Sequence, residues 1–225
     1  MTVADQSYRP PGYGDLAWAI GRRTLGWPTR LFVRTRSYGA DRVPPDGGIV
    51  IAANHLHWID VSVLGALSPR NINYVAKVEA HHIPGLGRFI RWHGTIAVRR
   101  GESDREAIRL MRQAVRDGRA LGLFVEGTRQ RSGRPGKVQP GAAMVAIQEE
   151  VPVVPVAIYG TQFWRLGNFA PCSLAWGRPL RFDGLPKTGR GYREASQELE
   201  RTIHGLFDWL ADVHAQGRPR GLTPP

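Results

Sequence analysis

Residues 49–60 read IVIAANHLHWID, and this stretch decides the fold expected for the chain. An apolar run rich in β-branched residues predicts a buried strand, and the polar turn after it leads into a helix. Comparable apolar runs recur along the chain, separated by segments with helical periodicity: 49–53, 72–76, 95–98, 121–125 and 151–158. Strands that alternate with helices predict an α/β fold with a mostly parallel central sheet flanked by helices.

Two amphipathic helices and the two chain ends complete the predicted organisation. Ser103 and Glu106 form a capping box that predicts a helix from 103 to about 118, and apolar spacing predicts another over 192–215. The sequence predicts three parts: an N-terminal amphipathic helical segment over 1–38, an α/β domain over 39–215, and a flexible tail over 216–225.

The polar turn after the first predicted strand contains His55 and Asp60. Residues five apart on a regular helix point about 140° apart, so a contact requires His55 to lie in the turn before the helix. A carboxylate that accepts the Nδ1 proton fixes the tautomer and leaves Nε2 to take a proton from a hydroxyl. The alternative is structural, with His55 capping the helix and Asp60 solvated in its first turn.

A second polar turn follows the strand predicted at 121–125. Glu126, Gly127, Thr128 and Arg129 bring a carboxylate, a flexible backbone, a hydroxyl and a guanidinium into one tight turn. Such a turn can offer backbone N–H groups and an arginine fork to a phosphate. The alternative is a surface turn with a Glu–Arg ion pair.

The charge of the chain predicts an anionic partner. Its 225 residues carry 31 basic and 19 acidic side chains, for a net charge of +12, and the excess is concentrated in residues 1–40 and 99–137. The helix predicted over 103–118 carries an arginine stripe that is either a solvated face or a contact for lipid headgroups: Arg105, Arg109, Arg112 and Arg116. No recognised nucleic-acid motif accompanies these charges, so no nucleic-acid partner is predicted.

Residues 15–38 mix tryptophan and leucine with arginine, which is typical of a helix lying in a membrane interface. The alternative is a helix that packs its aromatic side on the sheet, and in either case Pro28 should break or kink it. No apolar run reaches the ~18 residues of a membrane-spanning helix, the N-terminus lacks a secretory pattern, and Cys172 is the single cysteine. The sequence therefore predicts a peripheral or monotopic protein on the cytoplasmic face of the cell membrane.

Four blocks in order resemble the motifs of the glycerolipid acyltransferases that make phosphatidate from lysophosphatidate. The first is the His55–Asp60 spacing, and the others are GTIAVRR at 94–100, FVEGTR at 124–129 and VPVVPV at 151–156. Each block alone is weak evidence, whereas their ordered occurrence over roughly residues 45–180 is specific.

The resemblance implies a role for each matched residue. His55 would be the general base and Asp60 would orient it, with no acyl-enzyme, metal or cofactor. The positions implied to bind or shape a site for the acceptor phosphate are Lys77, Arg100, Glu126, Gly127, Thr128 and Arg129. The acyl donor would be acyl-CoA or an acyl carrier protein thioester, and the acceptor a lysophospholipid.

Two departures and two rival functions accompany this prediction. Val125 replaces the usual proline, and Arg99 replaces an acid, which leaves the acceptor head group open. A zinc hydrolase is suggested by His55, His57 and Asp60, although the spacing differs by one residue and the final histidine of that motif is absent. The other rival is a non-catalytic basic protein that binds membrane surfaces.

Overall fold

A computed structural model describes residues 15–99 and 105–225 of the chain, and within them it forms a seven-stranded sheet in the order β1-β7-β6-β2-β5-β3-β4. The strands are β1 Arg36–Tyr38, β2 Ile49–Ala53, β3 Ile72–Lys77, β4 Ile96–Val98, β5 Ala120–Phe124, β6 Val153–Tyr159 and β7 Ser173–Trp176. All five predicted strands are present, with their ends shifted by at most two residues.

The sheet is mostly parallel, which confirms the predicted fold class. Strands β6, β2, β5, β3 and β4 run in one direction. Strand β7 pairs antiparallel with β6, and β1 runs parallel to β7. The carboxyl ends of β2, β5, β3 and β4 therefore meet at one edge of the sheet, which is where open α/β sheets place their sites.

Helices cover both faces of the sheet, which explains why every residue of β2 is buried. The helices are α1 Asp15–Gly21, α2 Trp27–Phe32, α3 Asp60–Leu67, α4 Val78–His82, α5 Leu86–Trp92, α6 Arg105–Arg116, α7 Gly141–Glu149 and α8 Gly189–Ala215. Val50 and Ala52 pack with α6, α7 and α8. Ile49 and Ile51 point the other way and pack with α3 and Trp18 of α1. We call these surfaces the α8 face and the α3 face.

Helix α6 ends where the sequence predicts. Gly118, two residues after the helix, has a φ of +75°, a left-handed conformation that glycine adopts without strain. Ser103 of the predicted capping box lies outside the described residues.

The N-terminal segment is helical from Asp15 to Phe32, and we call these residues the arm. A π-helical turn, Arg22–Gly26, separates α1 from α2, and Pro28 lies in the first turn of α2. Because proline has no N–H to donate to the preceding turn, the regular α-helix is interrupted there. The predicted break thus takes the form of a π-helical turn.

The predicted limits of the three parts need two corrections. A boundary after residue 38 would cut off β1, which pairs with β7 inside the sheet. The prediction of a flexible tail is also wrong, because the Tyr38 hydroxyl donates to the Pro219 carbonyl at 3.0 Å and Arg42 donates to the carbonyls of Pro224 and Pro225. These distant partners, invisible in the tail's own composition, hold the last residues on β1 and the turn that follows it.

Candidate active site

His55 and Asp60 form a direct contact at the carboxyl end of β2. The His55 Nδ1 and Asp60 Oδ2 atoms are 2.8 Å apart. Asp60 is the first residue of α3, and His55 lies in the turn before it, the arrangement that the sequence required for a contact. The same Asp60 oxygen accepts the backbone N–H groups of Leu56 at 2.6 Å and His57 at 2.7 Å. Asp60 therefore fixes both the ring and the turn that carries it.

This geometry assigns the proton positions on the His55 ring. An ionised carboxylate only accepts hydrogen bonds, so Nδ1 carries a proton and Nε2 is left with its lone pair. The ring stacks on Phe124 with centroids 4.1 Å apart, and 13% of the side chain is exposed. Nε2 can therefore take a proton from a molecule bound at the edge of the sheet.

The turn at 124–130 clamps the backbone of His55 from the neighbouring strand. Glu126 Oε2 accepts the His55 N–H at 2.6 Å, and the Gln130 N–H donates to the His55 carbonyl at 2.8 Å. Gly127 has a φ of +72°, so a residue with a Cβ would strain this turn. The register pairs Ala53 with Phe124, which brings the two polar turns side by side.

Glu126 is buried, and both of its carboxylate oxygens face the backbone. Its second oxygen, Oε1, accepts the N–H of Gly136 at 3.0 Å. Burial raises the pKa of Glu126 to about 7, although the hydrogen bonds from Gly136 and His55 oppose the shift. Glu126 thus holds the backbone of His55 and Gly136, and both of its carboxylate oxygens are occupied by the chain.

Of the predicted basic residues that the structure describes, Lys77 ends β3 and Arg129 lies in the turn after the neighbouring strand β5. Lys77 is the last residue of β3 and is paired with Val98 of β4, and Arg99 follows directly. Lys77, Thr128 and Arg129 have exposed side chains. Neighbouring strands are about 4.8 Å apart, so Lys77 lies about 10 Å from β2, two strands away. Arg100 lies outside the described residues.

Arg129 is joined near the site by Arg165, a residue that the sequence analysis did not identify. Burial lowers the pKa of His57, and the positive charges of Arg165 and Arg129 lower it further, while Asp60 opposes them. Both guanidinium groups therefore act electrostatically at the turn that contains His55.

Two aromatic residues near His55 were also missed as functional candidates. Phe124 stacks on the His55 ring, and Trp164 packs edge-on against His57 with centroids 5.8 Å apart. Phe124 belongs to a recognised block and could have been noticed from its position. Trp164 is more than a hundred residues along the chain from His57, and no local pattern links the two.

An acyltransferase family model matches residues 34–159, which is more than half of the chain. The chain belongs to the acyltransferase family. That family membership makes it an enzyme, and the matched residues include β1 and both polar turns, with the hydrogen bond from His55 to Glu126.

Two relatives and one solved structure place this acyltransferase more closely. A 1-acyl-sn-glycerol-3-phosphate acyltransferase of Bacillus subtilis is 32% identical over 180 residues, 77% of this chain and 89% of the relative. A lyso-ornithine lipid O-acyltransferase of Pseudomonas aeruginosa is 38% identical over 158 residues, 67% of this chain and 58% of the relative.

The solved structure is that of a 1-acyl-sn-glycerophosphate acyltransferase from Thermotoga maritima. It is 23% identical, with a TM-score of 0.61, and the alignment covers 82% of this chain and 80% of that one. At this identity the similarity supports the fold.

The described residues contain neither a membrane-spanning helix nor a cluster of metal-ligating side chains. Residues 15–99 and 105–225 include no helix that is long and apolar enough to cross a membrane. The same residues include no group of three or more histidine, cysteine or acidic side chains placed to hold a metal ion.

Proposed function

We propose that this acyltransferase moves a fatty acyl group from a thioester to the free hydroxyl of 1-acylglycerol-3-phosphate, giving phosphatidate. The observation that carries the proposal is the 2.8 Å contact between His55 Nδ1 and Asp60 Oδ2, because it leaves Nε2 available as a base. The donor is an acyl-CoA or an acyl carrier protein thioester.

The His55–Asp60 pair supplies the proton transfers of this reaction. Nε2 takes the proton of the acceptor hydroxyl as its oxygen attacks the thioester carbonyl. The C–S bond then breaks, and the thiolate receives the proton from the imidazolium. Asp60 stabilises the imidazolium through Nδ1, and the N–H groups of Leu56 and His57 keep its carboxylate in place.

The basic edge of the sheet would bind the acceptor phosphate. In this proposal Lys77, Arg100 and Arg129 hold the phosphate, with Arg165 adding positive charge. Gly127 and Thr128 shape the turn beside it. Glu126 contributes indirectly, by holding the backbone N–H groups of His55 and Gly136.

A second acceptor, a lyso-ornithine lipid, is favoured by one observation. The relative that acts on this lipid shares 38% identity, more than the 32% of the Bacillus subtilis relative. We call residues 54–59, which carry His55, the catalytic turn. The positive charges of Arg129 and Arg165 near this turn favour a phosphate monoester, which carries more negative charge than the ornithine head group. A direct comparison of the two acceptors decides between them.

The experiment is a transfer assay with purified protein, both donors, and a panel containing lysophosphatidate and lyso-ornithine lipid, read by mass spectrometry. We expect phosphatidate to form fastest. His55→Ala should lower kcat for the transfer by about 10²–10⁴-fold, and His82→Ala is the matched control because His82 is exposed and is not among the proposed site residues. Normal transfer by His55→Ala would refute the mechanism, and a preference for lyso-ornithine lipid would replace the acceptor.

The arm is proposed to hold the enzyme on the cytoplasmic face of an anionic membrane. Trp18 packs inward against Tyr74, whereas Leu16, Trp27 and Leu31 are exposed. The arm thus combines the two arrangements left open by its sequence: one side packs on the protein and the other presents apolar side chains outward. Arginine beside exposed tryptophan and leucine suits an interface with anionic lipids.

A further inference from the structure

The segment 161–170, which we call the 161–170 loop, presents three large apolar side chains to the outside. Phe163, Leu166 and Phe169 are exposed, and Leu166, at 93%, is the most exposed large apolar side chain among the described residues. Single exposed apolar residues are common on soluble proteins, whereas a cluster of them marks a contact surface.

Hydrogen bonds within the loop hold these side chains outward. Asn168 Oδ1 accepts the N–H groups of Arg165 at 2.9 Å and Ala170 at 3.1 Å. Asn168 Nδ2 donates to the Phe163 carbonyl at 2.8 Å. The Asn168 side chain therefore fixes the backbone of the loop, while Leu166 at its tip projects outward.

The same loop is attached to the catalytic turn by its one buried tryptophan. Trp164 is only 8% exposed, and its ring lies 5.8 Å from that of His57 and 5.9 Å from that of Trp58. Trp58 is itself exposed, three residues after His55. Aromatic contacts through Trp164 thus join the loop to the turn that carries the base.

The loop also continues the apolar surface of the arm. The Phe169 ring stacks on Phe32 of α2, with centroids 5.9 Å apart and an angle of 28° between the rings. Arg165 lies in the exposed part of the loop, and Arg34 is exposed just after the arm. Apolar side chains flanked by arginines complement the acyl and headgroup regions of an anionic bilayer.

We infer that the 161–170 loop, together with Trp58, inserts into the surface of an anionic phospholipid bilayer as a second contact beside the arm. This inference rests on the proposed function, because a lysophospholipid acceptor must leave a bilayer to reach His55. Insertion beside the catalytic turn would shorten that path, with Trp58 and Trp164 lining it. The arm provides attachment, and the loop brings the site itself to the lipid.

The test compares Leu166→Asp with wild type by flotation on vesicles of phosphatidylcholine and phosphatidylglycerol. Placing a charge where a leucine side chain was buried in lipid should lower the partition coefficient about tenfold or more. Gln197→Asp on α8 adds the same charge on the α8 face and should leave flotation unchanged. Because both positions are exposed, thermal unfolding of the two variants should match wild type.

A kinetic readout separates the loop from the chemistry. Leu166→Asp should raise the apparent KM about tenfold for a long-chain lysophospholipid presented in vesicles. Its kcat/KM for a short-chain acceptor that dissolves as monomers should equal that of wild type. A purely structural role of Leu166 would lower both activities together.

Three outcomes would contradict either the inference about the loop or the proposed function. Wild-type flotation by Leu166→Asp would overturn the inference and leave the proposed function standing. Self-association of the wild type that Leu166→Asp abolishes, measured by sedimentation, would assign the loop to a second copy of the chain and also overturn it. If wild type acylates neither acceptor, the proposed function fails, while the flotation comparison still judges the loop.

Discussion

The two faces of the sheet differ in what they present to the surroundings, although both carry many arginines. Among the described residues, the exposed large apolar side chains all belong to residues 16–92 or to the 161–170 loop. None belongs to α6, α7 or α8, which cover the α8 face. The α3 face with the sheet edge therefore presents large apolar side chains outward, as the proposed membrane contact requires, and the helices of the α8 face present none among the described residues.

The arginines of α6 illustrate the difference. Arg112 and Arg116 both pair with Glu149 of α7, and Arg109 pairs with Glu106 at 2.6 Å. The stripe therefore forms ion pairs on the α8 face, and its positive charge is partly neutralised by acids. Positive charge alone does not identify a membrane-binding surface; the exposed apolar side chains beside it do.

The largest expected effect tests whether acyl transfer and membrane binding depend on different residues. Replacing His55 with alanine removes the base, so we expect kcat for acyl transfer to fall by about 10²–10⁴-fold. Vesicle flotation should not change, because His55 lies outside the proposed membrane surface. Loss of both activities in a folded variant would show that the site and the surface cannot be separated.

The next effect concerns the arm on the α3 face. Trp27 is 65% exposed and Leu31 is also exposed. The double substitution Trp27→Asp and Leu31→Asp should lower vesicle partitioning about a hundredfold, because two apolar anchors are lost. The matched control places aspartates at Gln197 and Gly205, exposed positions on α8, and should bind as wild type does. Equal loss in the control would mean that added negative charge anywhere weakens binding.

The third effect is a pH dependence that arises at the edge of the sheet. The pKa of Glu126 is raised to about 7, so the folded state holds this proton more tightly than the unfolded state. Its favourable contribution is complete below about pH 4.5 and is lost as the pH rises through about 7. Between pH 5 and 8 the free energy of unfolding of wild type should fall by about 2 kcal/mol relative to Glu126→Gln.

Urea denaturation of both proteins at pH 5 and 8 measures this difference. Glu198→Gln is the control, because Glu198 is exposed on α8. If the difference in the free energy of unfolding between wild type and Glu126→Gln is the same at both pH values, Glu126 is not the group whose titration changes the stability.

The smallest effect addresses the α8 face. Glu149→Gln removes the partner of Arg112 and Arg116 and should lower the free energy of unfolding by about 1 kcal/mol. Vesicle flotation should stay the same even though two cations are released, since no apolar side chain accompanies them. A marked gain in flotation would contradict the proposal that membrane binding is confined to the α3 face and the sheet edge.

The sequence predicted the parts of the fold whose signals are local. Strand β2 and helix α8 appear where their apolar spacing places them, because that spacing follows from one strand or one helix burying its own side chains. Strands β1 and β7 were not predicted. Neither contains a β-branched residue: β1 reads Arg-Ser-Tyr and β7 reads Ser-Leu-Ala-Trp.

The candidate site divides in the same way. The turn bearing His55 and Asp60 was visible as a polar ending to an apolar strand, and their contact needs only a six-residue segment. The hydrogen bond from the His55 N–H to Glu126 joins residues 71 positions apart. It depends on β2 and β5 being neighbours in the sheet, which local sequence does not encode.

The sequence by itself determined the strand–helix alternation, the two polar turns and the acyltransferase family of this chain, because these reside in short segments and their order. Only the tertiary structure decided that Glu126 serves the backbone of His55, that the tail packs on β1, and that Trp164 couples an exposed apolar loop to the catalytic turn. Each of these contacts joins segments distant in the chain, and strand order together with packing against a common face brings them together.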